Sequence, residues 1–314
     1  MVAVPAALDI DVFHRPRPGN PVLHRAVFDA RLRQFHLGEC NPGEPSADLE
    51  RAALPEFPPC IVERYTAAGL RLVRSPLEPV KRRGARIAVI IPVLDEEGAI
   101  GPVLAAIPCG WIDQVIVVDG GSRDRTVAEA RAAGATVLVE RERGYGRACG
   151  KGAAEAIENG AEILVFLDGD GGDRPEAIPT LVQPILDDTH DFVIGSRTRG
   201  VRERGSMGAH QALAGRAIGT VIGLVYGVRF TDMCAFRAIR AEALQQLGMR
   251  EMTYGWNLEM QMRAARAGLR ILELPVPHGR RLAGKSKVAG TLRGTVKAGF
   301  RILATFVRIV REPH

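Results

Sequence analysis

The sequence of 314 residues lacks paired cysteines, long apolar runs and an N-terminal leader pattern. Its five cysteines form no C-x-x-C pair, and an odd, dispersed set argues against a disulfide framework or a zinc site and is typical of a reducing cytoplasm. No window of about 18 uncharged apolar residues occurs, so we predict no membrane-spanning helix. The first residues, MVAVPAALDIDVFHRPRPG, place acids where a secretory leader needs an apolar core. We therefore expect a cytoplasmic protein.

Acidic residues are scarce at the C-terminal end of the chain. Residues 280–314 contain nine Lys or Arg and one acid, whereas the net charge of the whole chain is only +6. Because the positive charge lies in one segment and not over the whole surface, nucleic acid is a poor candidate partner. A polyanionic surface or a phosphate ligand near the C-terminus fits this charge better.

Apolar strands alternate with helical segments from about residue 85 onwards. The strand-like segments are IAVIIPV, QVIVVDG, TVLVE, ILVFLDGD and DFVIGSR, and helix-start signals follow most of them. Near-continuous apolar strands that alternate with helices indicate a mostly parallel sheet with helices on both faces. We therefore predict one α/β domain over residues 85–287.

Other segments flank this domain. Residues 1–60 are rich in Pro, Gly and charge, and we predict an extension that is partly disordered or forms a lid, with a short helix at residues 22–35. Residues 61–84 are predicted to form a short helix and a basic linker, and residues 288–314 a basic amphipathic helix.

The strand ILVF ends in DGDGGD, where Asp168 and Asp170 alternate with glycines. The carboxyl ends of parallel strands are where such sheets bind ligands. One interpretation is a divalent cation shared with a substrate diphosphate, which the glycines allow to approach the backbone. The other is a turn that uses Asp and Gly for local reasons. A calcium loop of the EF-hand type does not fit, because Asp173 takes the place of its glycine and Pro179 that of its glutamate.

The glycine-rich segment GYGRACGKG matches neither of the common nucleotide fingerprints. It is not G-x-G-x-x-G at the first turn after a strand, and it is not G-x-x-x-x-G-K-[ST]. The first strand ends in PVLDEE without a glycine pair, which argues against a nicotinamide enzyme.

Seven segments, in this order and spacing, resemble those of family 2 glycosyltransferases of the GT-A fold. They are IAVIIPVLDEE, VIVVDGGSRDRT, GYGRACGKGAA, FLDGDGG, VIGSR, FTDMCAFRAI and ILELPVPHGRRLAGKSK. The most similar group makes dolichyl- or polyprenyl-phosphate mannose or glucose, and the resemblance covers residues 85 to 290. It implies a GT-A fold, Mg²⁺ or Mn²⁺ as cofactor, and inverting transfer of a hexose from UDP-glucose or GDP-mannose. Polyprenyl phosphate is the acceptor that it favours.

The resemblance also assigns roles to residues at matching positions. The implied nucleotide-sugar site contains Pro92, Leu94, Glu96, Asp119, Gly146, Lys151 and Asp168. The implied metal ligands are Asp168 and Asp170. The implied phosphate-binding residues are Arg197, Arg216, Lys285 and Lys287. The implied catalytic residues, two of them beside the acceptor, are Asp170, Asp232 and Glu259.

Two features depart from the resembled group. Gly172 stands where the phosphomannose synthases often have a glutamine, and the transmembrane helices that usually follow the catalytic domain are absent. The six histidines that we considered, His278 among them, show no ligand spacing and are assigned no role.

The residues leave the acceptor open. A phosphate acceptor is already ionised near neutral pH, whereas a hydroxyl acceptor needs a carboxylate base, for which Glu259 and Asp232 are candidates. Glu259 is alternatively a surface acid paired with Arg263 at i+4, and Arg197 a surface residue at a strand end. A soluble transferase with a small hydroxyl acceptor, or a catalytically silent scaffold, are the competing hypotheses. A homo-oligomer is compatible with the sequence.

The C-terminal segment carries an apolar stripe at helical spacing. Its members are Leu292, Val296, Gly299, Phe300, Leu303, Phe306, Val307 and Val310. Basic residues lie on one flank of the stripe: Arg293, Lys297, Arg301 and Arg308. Such a helix either lies in a membrane interface, attracted by anionic lipid, or docks on its own core or on a partner. The first alternative predicts a peripheral location on the inner face of the membrane.

Overall fold

The computed structural model describes residues 23–29, 34–40, 84–284 and 292–312. Strands β1 (Leu23–Asp29) and β2 (Gln34–Cys40) form an antiparallel hairpin in a unit of its own. The helix predicted at residues 22–35 is therefore wrong. The register places Phe28 opposite Phe35, so the two segments form strands through their pairing with each other. Most of the predicted linker at 61–84 lies outside the described residues.

Seven further strands form the main sheet. They are β3 (Ile87–Val93), β4 (Gln114–Asp119), β5 (Thr136–Val139), β6 (Ile163–Phe166), β7 (Phe192–Ser196), β8 (Arg237–Arg240) and β9 (Ile271–Pro275). Their order is β5-β4-β3-β6-β8-β7-β9, and only β8 runs antiparallel to its neighbours. The predicted mostly parallel α/β fold is confirmed.

Eight helices connect or follow these strands in the described part of the chain. They are α1 (Ile100–Ala105), α2 (Thr126–Ala132), α3 (Tyr145–Glu158), α4 (Ile178–Leu186), α5 (Ala209–Tyr226), α6 (Ala241–Leu247), α7 (Trp256–Arg266) and α8 (Leu292–Arg311). Pro175 begins a 3₁₀ turn that leads into α4, since its fixed φ suits a first turn. Helix α5 ends at Gly227 with φ 76°, a left-handed conformation that glycine adopts without strain.

The sheet buries both of its faces. Ile87, Val89 and Ile91 of β3 belong to one apolar cluster, whereas Ala88 and Ile90 between them belong to the other. Alternate residues of a strand point to opposite faces, so a continuous apolar strand is the pattern that a sheet between two helical layers requires. Polar residues begin where the strands end.

Two of the cysteines follow the sequence-based expectation and one does not. Cys149 and Cys234 are free thiols inside the protein. They behave as small apolar core residues, and burial raises the pKa of both thiols well above the usual range. Cys109, by contrast, is disulfide-bonded, which the dispersed cysteines did not predict.

Helix α8 packs on the core with one side and faces solvent with another. Ile309 is fully buried, and Ile302 and Phe306 pack against the same cluster. Phe300 and Leu303, in contrast, are 72% and 60% exposed. Of these residues only Phe306 belongs to the predicted apolar stripe and also packs on the core. Ile302 and Ile309 lie outside that stripe, whereas Phe300 and Leu303, which belong to it, face solvent. Within the described residues, no helix combines the length and the hydropathy that crossing a bilayer requires.

Candidate active site

The carboxyl ends of β3 and β4 lie side by side, because Val93 is the parallel neighbour of Asp119. The Asp119 carboxylate is buried, and it accepts hydrogen bonds from the backbone N–H groups of Gly121 and Ser122, each at 3.1 Å. This turn fixes the carboxylate at the strand end. Pro92 and Leu94, the two apolar residues predicted to line the nucleoside pocket, lie at the end of β3 and are both partly buried. Their role stays a prediction.

The turn after β6 carries the predicted metal ligands. The Asp170 carboxylate accepts a hydrogen bond from the backbone N–H of Gly172 at 2.8 Å, and Asp173 accepts one from the N–H of Asp168 at 3.2 Å. Loss of hydration inside the protein, together with the charges of Asp173 and Asp170, raises the pKa of Asp168 to about 8. Three carboxyl groups lie close together at one strand end, so a bound cation would stabilise their ionised forms.

The imidazole of His278 occupies space that the glycine at position 172 leaves free. A Cβ atom at Gly172 would lie 2.9 Å from His278 Cε1 and 3.0 Å from Asp170 Oδ1. The side chain is 10% exposed, its buried Nδ1 lies 3.5 Å from Asp173 Oδ1, and that nitrogen has no hydrogen-bond partner in the described residues. A histidine thus lies against Gly172, the position at which the phosphomannose synthases often have a glutamine.

Arg281 links two of the predicted site residues. Its guanidinium donates to Glu96, and it also lies 3.0 Å from Asp170 Oδ2. The backbone N–H of Leu282 donates to the carbonyl of Asp170 at 2.8 Å, which holds the segment after β9 over the turn. Gly171 has φ +78° and lies directly under the Leu282 side chain, so only glycine fits there.

Sequence reasoning missed both His278 and Arg281. Neither lies near the D-x-D turn in the chain, and no ligand spacing marks them. The segment PVPHGRRLAGKSK contains both, but only the last part of that segment, GKSK, was used for the prediction. Lys285 and Lys287 of GKSK lie outside the described residues.

Arg197 and Asp232 form a closed ion pair. Arg197 donates to Asp232 from its backbone N–H at 2.9 Å, from Nε at 2.8 Å and from Nη2 at 2.8 Å. Burial acts to raise the pKa of Asp232, but the hydrogen bonds and charge of Arg197 outweigh it and hold that pKa below its usual range. Asp232 is 1% exposed and Arg197 21% exposed, so the arginine is the member that can reach a ligand.

Helix α5 passes this pair at its N-terminal half. A Cβ atom at Gly215 would lie 3.7 Å from Asp232 Oδ1, and Arg216 is the next residue, with an exposed side chain. Arg216 is therefore one residue along α5 from the position that faces the Arg197–Asp232 pair. The role of both arginines stays a prediction.

Glu259 lies in a buried network behind the site. Its carboxylate accepts hydrogen bonds from Nε of Arg263 at 3.0 Å and from Nη2 of Arg308 at 3.1 Å. It also accepts one from the backbone N–H of Arg250 at 2.9 Å, and its side chain is 0% exposed. The arginine at i+4 that the sequence suggested is present, but the pair is internal and not on the surface. Glu259 thus ties α7 to α8, and its acceptor-side role stays a prediction.

Two other predicted residues have visible structural contacts. The N–H of Gly146 donates to the carbonyl of Thr253 at 3.2 Å, and any side chain at Gly146 would overlap the backbone of Glu251. Lys151 donates from Nζ to the carbonyl of Val139 at 2.6 Å, at the edge strand of the sheet. Gly146 therefore allows two segments to cross closely, and both nucleotide-binding roles stay predictions.

The donor set fits a hard divalent cation. Asp168 and Asp170 would supply carboxylate oxygens, and His278, whose buried Nδ1 has no partner among the described residues, would supply an imidazole. Among the described residues, however, no three such side chains stand close enough to hold a metal ion as they are placed. The set thus suits a cation that takes part of its coordination from the phosphates of a substrate.

The fold is that of an α/β protein, and its candidate site lies at the carboxyl edge of the sheet, where such proteins bind ligands. The sequence profile described as Glycosyl transferase family 2 matches residues 88–248, which is about half of the chain. The chain therefore belongs to glycosyl transferase family 2 and is an enzyme of the glycosyltransferase class.

Three relatives show how this chain compares with characterised and uncharacterised members. An uncharacterized glycosyltransferase of Mycobacterium tuberculosis is 38% identical over 68% of this chain and 95% of its own length. The undecaprenyl-phosphate mannosyltransferase of Micrococcus luteus is 31% identical over 67% of this chain and 90% of its own. The dolichyl-phosphate hexose transferase of Haloferax volcanii is 32% identical over 64% and 86%.

Solved structures share the fold. Glucosyl-3-phosphoglycerate synthase from Mycobacterium tuberculosis, in complex with Mn²⁺, UDP and phosphoglyceric acid, matches with a TM-score of 0.59 at 24% identity. The match covers 74% of this chain and 80% of that one. The same enzyme in complex with Mg²⁺ and UDP also matches with a TM-score of 0.59. At this identity the likeness shows the GT-A fold alone.

Proposed function

We propose that this protein is an inverting, metal-dependent hexosyltransferase that uses a nucleoside-diphosphate sugar, UDP-glucose or GDP-mannose, and delivers the hexose to polyprenyl phosphate. The observation that carries the choice of acceptor is the state of Asp232 and Glu259, the two candidate bases. Asp232 is paired with Arg197, which lowers its pKa, and Glu259 is paired with Arg263 and Arg308. A carboxylate that is held in this way is a poor proton acceptor for a hydroxyl group.

A phosphate acceptor removes the need for a base. The acceptor oxygen is ionised near neutral pH and attacks the anomeric carbon from the face opposite the diphosphate. The new C–O bond forms as the bond to the diphosphate breaks, so the configuration inverts and no proton is transferred. Arg197, with its partly exposed guanidinium, and Arg216 would bind the acceptor phosphate, since a guanidinium matches phosphate with two parallel donors.

The donor would lie across the ends of β3, β4 and β6. Asp119 and Glu96 would contact the nucleoside, and Asp168, Asp170 and His278 would hold Mg²⁺ or Mn²⁺. When bound, the metal ion neutralises charge on the leaving diphosphate. Arg281 already bridges Glu96 and Asp170, so it would have to exchange one carboxylate for a donor phosphate. Lys285 and Lys287 would complete the cationic wall around the diphosphate.

The lipid nature of the acceptor requires contact with a membrane surface. Helix α8 exposes Phe300 and Leu303, and its outer side also carries exposed arginines, Arg301 and Arg311. An apolar face beside basic residues suits the interface of an anionic membrane. The enzyme would then act at the inner membrane face as a peripheral protein.

The test is transfer from labelled UDP-glucose and GDP-mannose, with Mg²⁺ or Mn²⁺, to undecaprenyl phosphate in detergent. We expect metal-dependent label in the lipid fraction, lost in Asp170→Asn and kept in Asp187→Asn, which removes the same charge from the exposed end of α4. Release of nucleoside diphosphate without lipid label would replace polyprenyl phosphate by a small hydroxyl acceptor. Failure to bind or turn over either donor would refute the donor assignment.

A further inference from the structure

A basic cavity lies between α8 and the loop that precedes α7, away from the strand ends described above. Its volume is about 300 Å³. The lining residues are Arg250, Glu251, Met252, Thr253, Arg301, Ala304, Thr305 and Arg308. Arg301, Thr305 and Arg308 of α8, with Ala304 beside them, follow one another at spacings of three or four and therefore share one face of the helix.

Three arginines line this cavity together with one acid, Glu251, and a second acid, Glu259, also pairs with Arg308. Arg308 is engaged, because it lies 3.6 Å from Glu251 and 3.1 Å from Glu259. Arg250 and Arg301 are exposed, and in the described part of the chain neither lies within ion-pair distance of a carboxylate, although the charge of Arg301 helps to lower the pKa of Glu251. The cavity therefore has an excess of positive charge and two arginines whose donors are available to an anion.

An exposed apolar strip lies next to the cavity on the same helix. Phe300, Leu303, Val307 and Val310 are at least 36% exposed, and they follow one another at helical spacing. A ligand with an anionic head and an apolar tail would match both features at once. Inorganic phosphate or a free nucleotide would match the cavity alone.

The loop that lines the cavity contacts a helix that begins at the functional edge of the sheet. The loop at residues 250–253 accepts hydrogen bonds from the N-terminal turn of α3, through the carbonyls of Met252 and Thr253. Helix α3 begins beyond the carboxyl end of β5, which is the edge that carries the predicted donor site. A lipid bound in the cavity would bring this edge to the membrane.

We propose that the cavity formed by Arg250, Arg301 and Arg308 binds the phosphate headgroup of an anionic membrane lipid, as a second lipid site apart from the acceptor site at Arg197. This inference deepens the proposed membrane contact of α8 and rests on it. The phosphate accepts hydrogen bonds from the two free guanidinium groups, and the acyl chains leave along the apolar strip. Arg308 stays paired with its glutamates and contributes charge.

The test compares vesicles with equal surface charge but different headgroups. Phosphatidylcholine vesicles with roughly a quarter phosphatidic acid are matched in surface potential to vesicles with phosphatidylserine, because a smooth electrostatic attraction depends on that potential alone. We expect the full chain to prefer phosphatidic acid by about tenfold in co-sedimentation, since two arginines can both bind a phosphate monoester.

Three single variants separate the cavity from general attraction. Arg250→Gln and Arg301→Gln should each reduce the preference to about twofold or less, although Arg250 is not part of α8. Arg311→Gln removes the same charge from an exposed position on α8 outside the cavity. It should weaken binding to both vesicles equally and keep the preference.

The outcomes distinguish this site from the proposed function. Equal binding of the unaltered chain to both vesicles, or a preference that survives Arg250→Gln, would overturn the site. So would competition by inorganic phosphate without vesicle binding, which would show a pocket for free anions. Loss of detergent-phase transfer in Arg250→Gln would place the acceptor in the cavity and also overturn a second site. A preference without any transfer to polyprenyl phosphate would support the site and refute the proposed acceptor.

Discussion

Neutralising Asp168 should stabilise the metal-free protein, and increasingly so as the pH rises. The pKa of Asp168 is raised from 3.8 to about 8 by loss of hydration and by the nearby charges of Asp173 and Asp170. Between these two values the folded state keeps a proton that the unfolded state releases. The folded state therefore loses about 1.4 kcal/mol of stability per pH unit through this group, and the loss stops above the folded pKa.

The variant Asp168→Asn lacks this titration but keeps the shape of the side chain. From about pH 5 to pH 7, the difference in free energy of unfolding between variant and unaltered protein should grow in favour of the variant by up to about 3 kcal/mol. Urea unfolding in the presence of a chelator, at several pH values, measures this difference. Asp187→Asn, on the surface at the end of α4, should give a profile parallel to that of the unaltered protein.

If the free energies of unfolding of Asp168→Asn and of the unaltered protein change with pH in parallel, the reasoning is refuted, because the pKa of Asp168 is then not raised in the folded state. A second arm adds Mn²⁺ at constant pH. Ligand that binds only the folded state raises its stability, so Mn²⁺ should stabilise the unaltered protein and have little effect on Asp168→Asn. Equal stabilisation of both proteins would contradict Asp168 as a metal ligand.

Two further substitutions test the metal site and the buried network. Gly172→Ala puts a methyl group 2.9 Å from His278 Cε1 and 3.0 Å from Asp170 Oδ1, so the imidazole must move. The affinity for Mn²⁺, measured by calorimetry, should therefore fall about tenfold or more. The variant His278→Ala should lower this affinity to a similar extent. Unchanged affinity in both variants would exclude His278 from the site. Glu259→Gln should lower the free energy of unfolding, measured in urea, by about 3 kcal/mol, because two arginines lose a buried partner. The kcat/KM per folded molecule should stay within about threefold of that of the unaltered protein. As the control, Glu312→Gln removes only the outer partner of Arg263 and should lower the free energy of unfolding by less than about 1 kcal/mol. If Glu259→Gln instead has normal stability but no activity, Glu259 is a catalytic base.

Local pattern was sufficient for most of the sheet. Strands β3, β4 and β6 are short, continuous apolar runs, and such runs must be covered on both faces wherever they occur. The D-x-D turn could be located for the same reason, since polar residues directly after a buried strand must lie at its end. The hairpin of β1 and β2 could not be predicted, because its stability depends on the pairing of two segments and not on the propensity of either one.

The position of β8 also depended on tertiary structure. Its four residues, RAIR, pair antiparallel with β6 on one side and β7 on the other. Such a short segment has no periodicity that distinguishes it from a loop, and its direction follows from the path of the chain through α5. The placement of β8 between β6 and β7 also brings Asp232, which precedes β8, against Arg197.

The sequence by itself determined the α/β alternation, the strand ends that carry Asp119, Asp168 and Asp170, and the family to which they point, because all of these are properties of contiguous segments. Only the tertiary structure decided how those residues are partnered. It brought His278 and Arg281 to the D-x-D turn and enclosed Glu259 between Arg263 and Arg308. The physical reason is that a charge buried in a protein is governed by the groups that pack around it, and these come from distant parts of the chain.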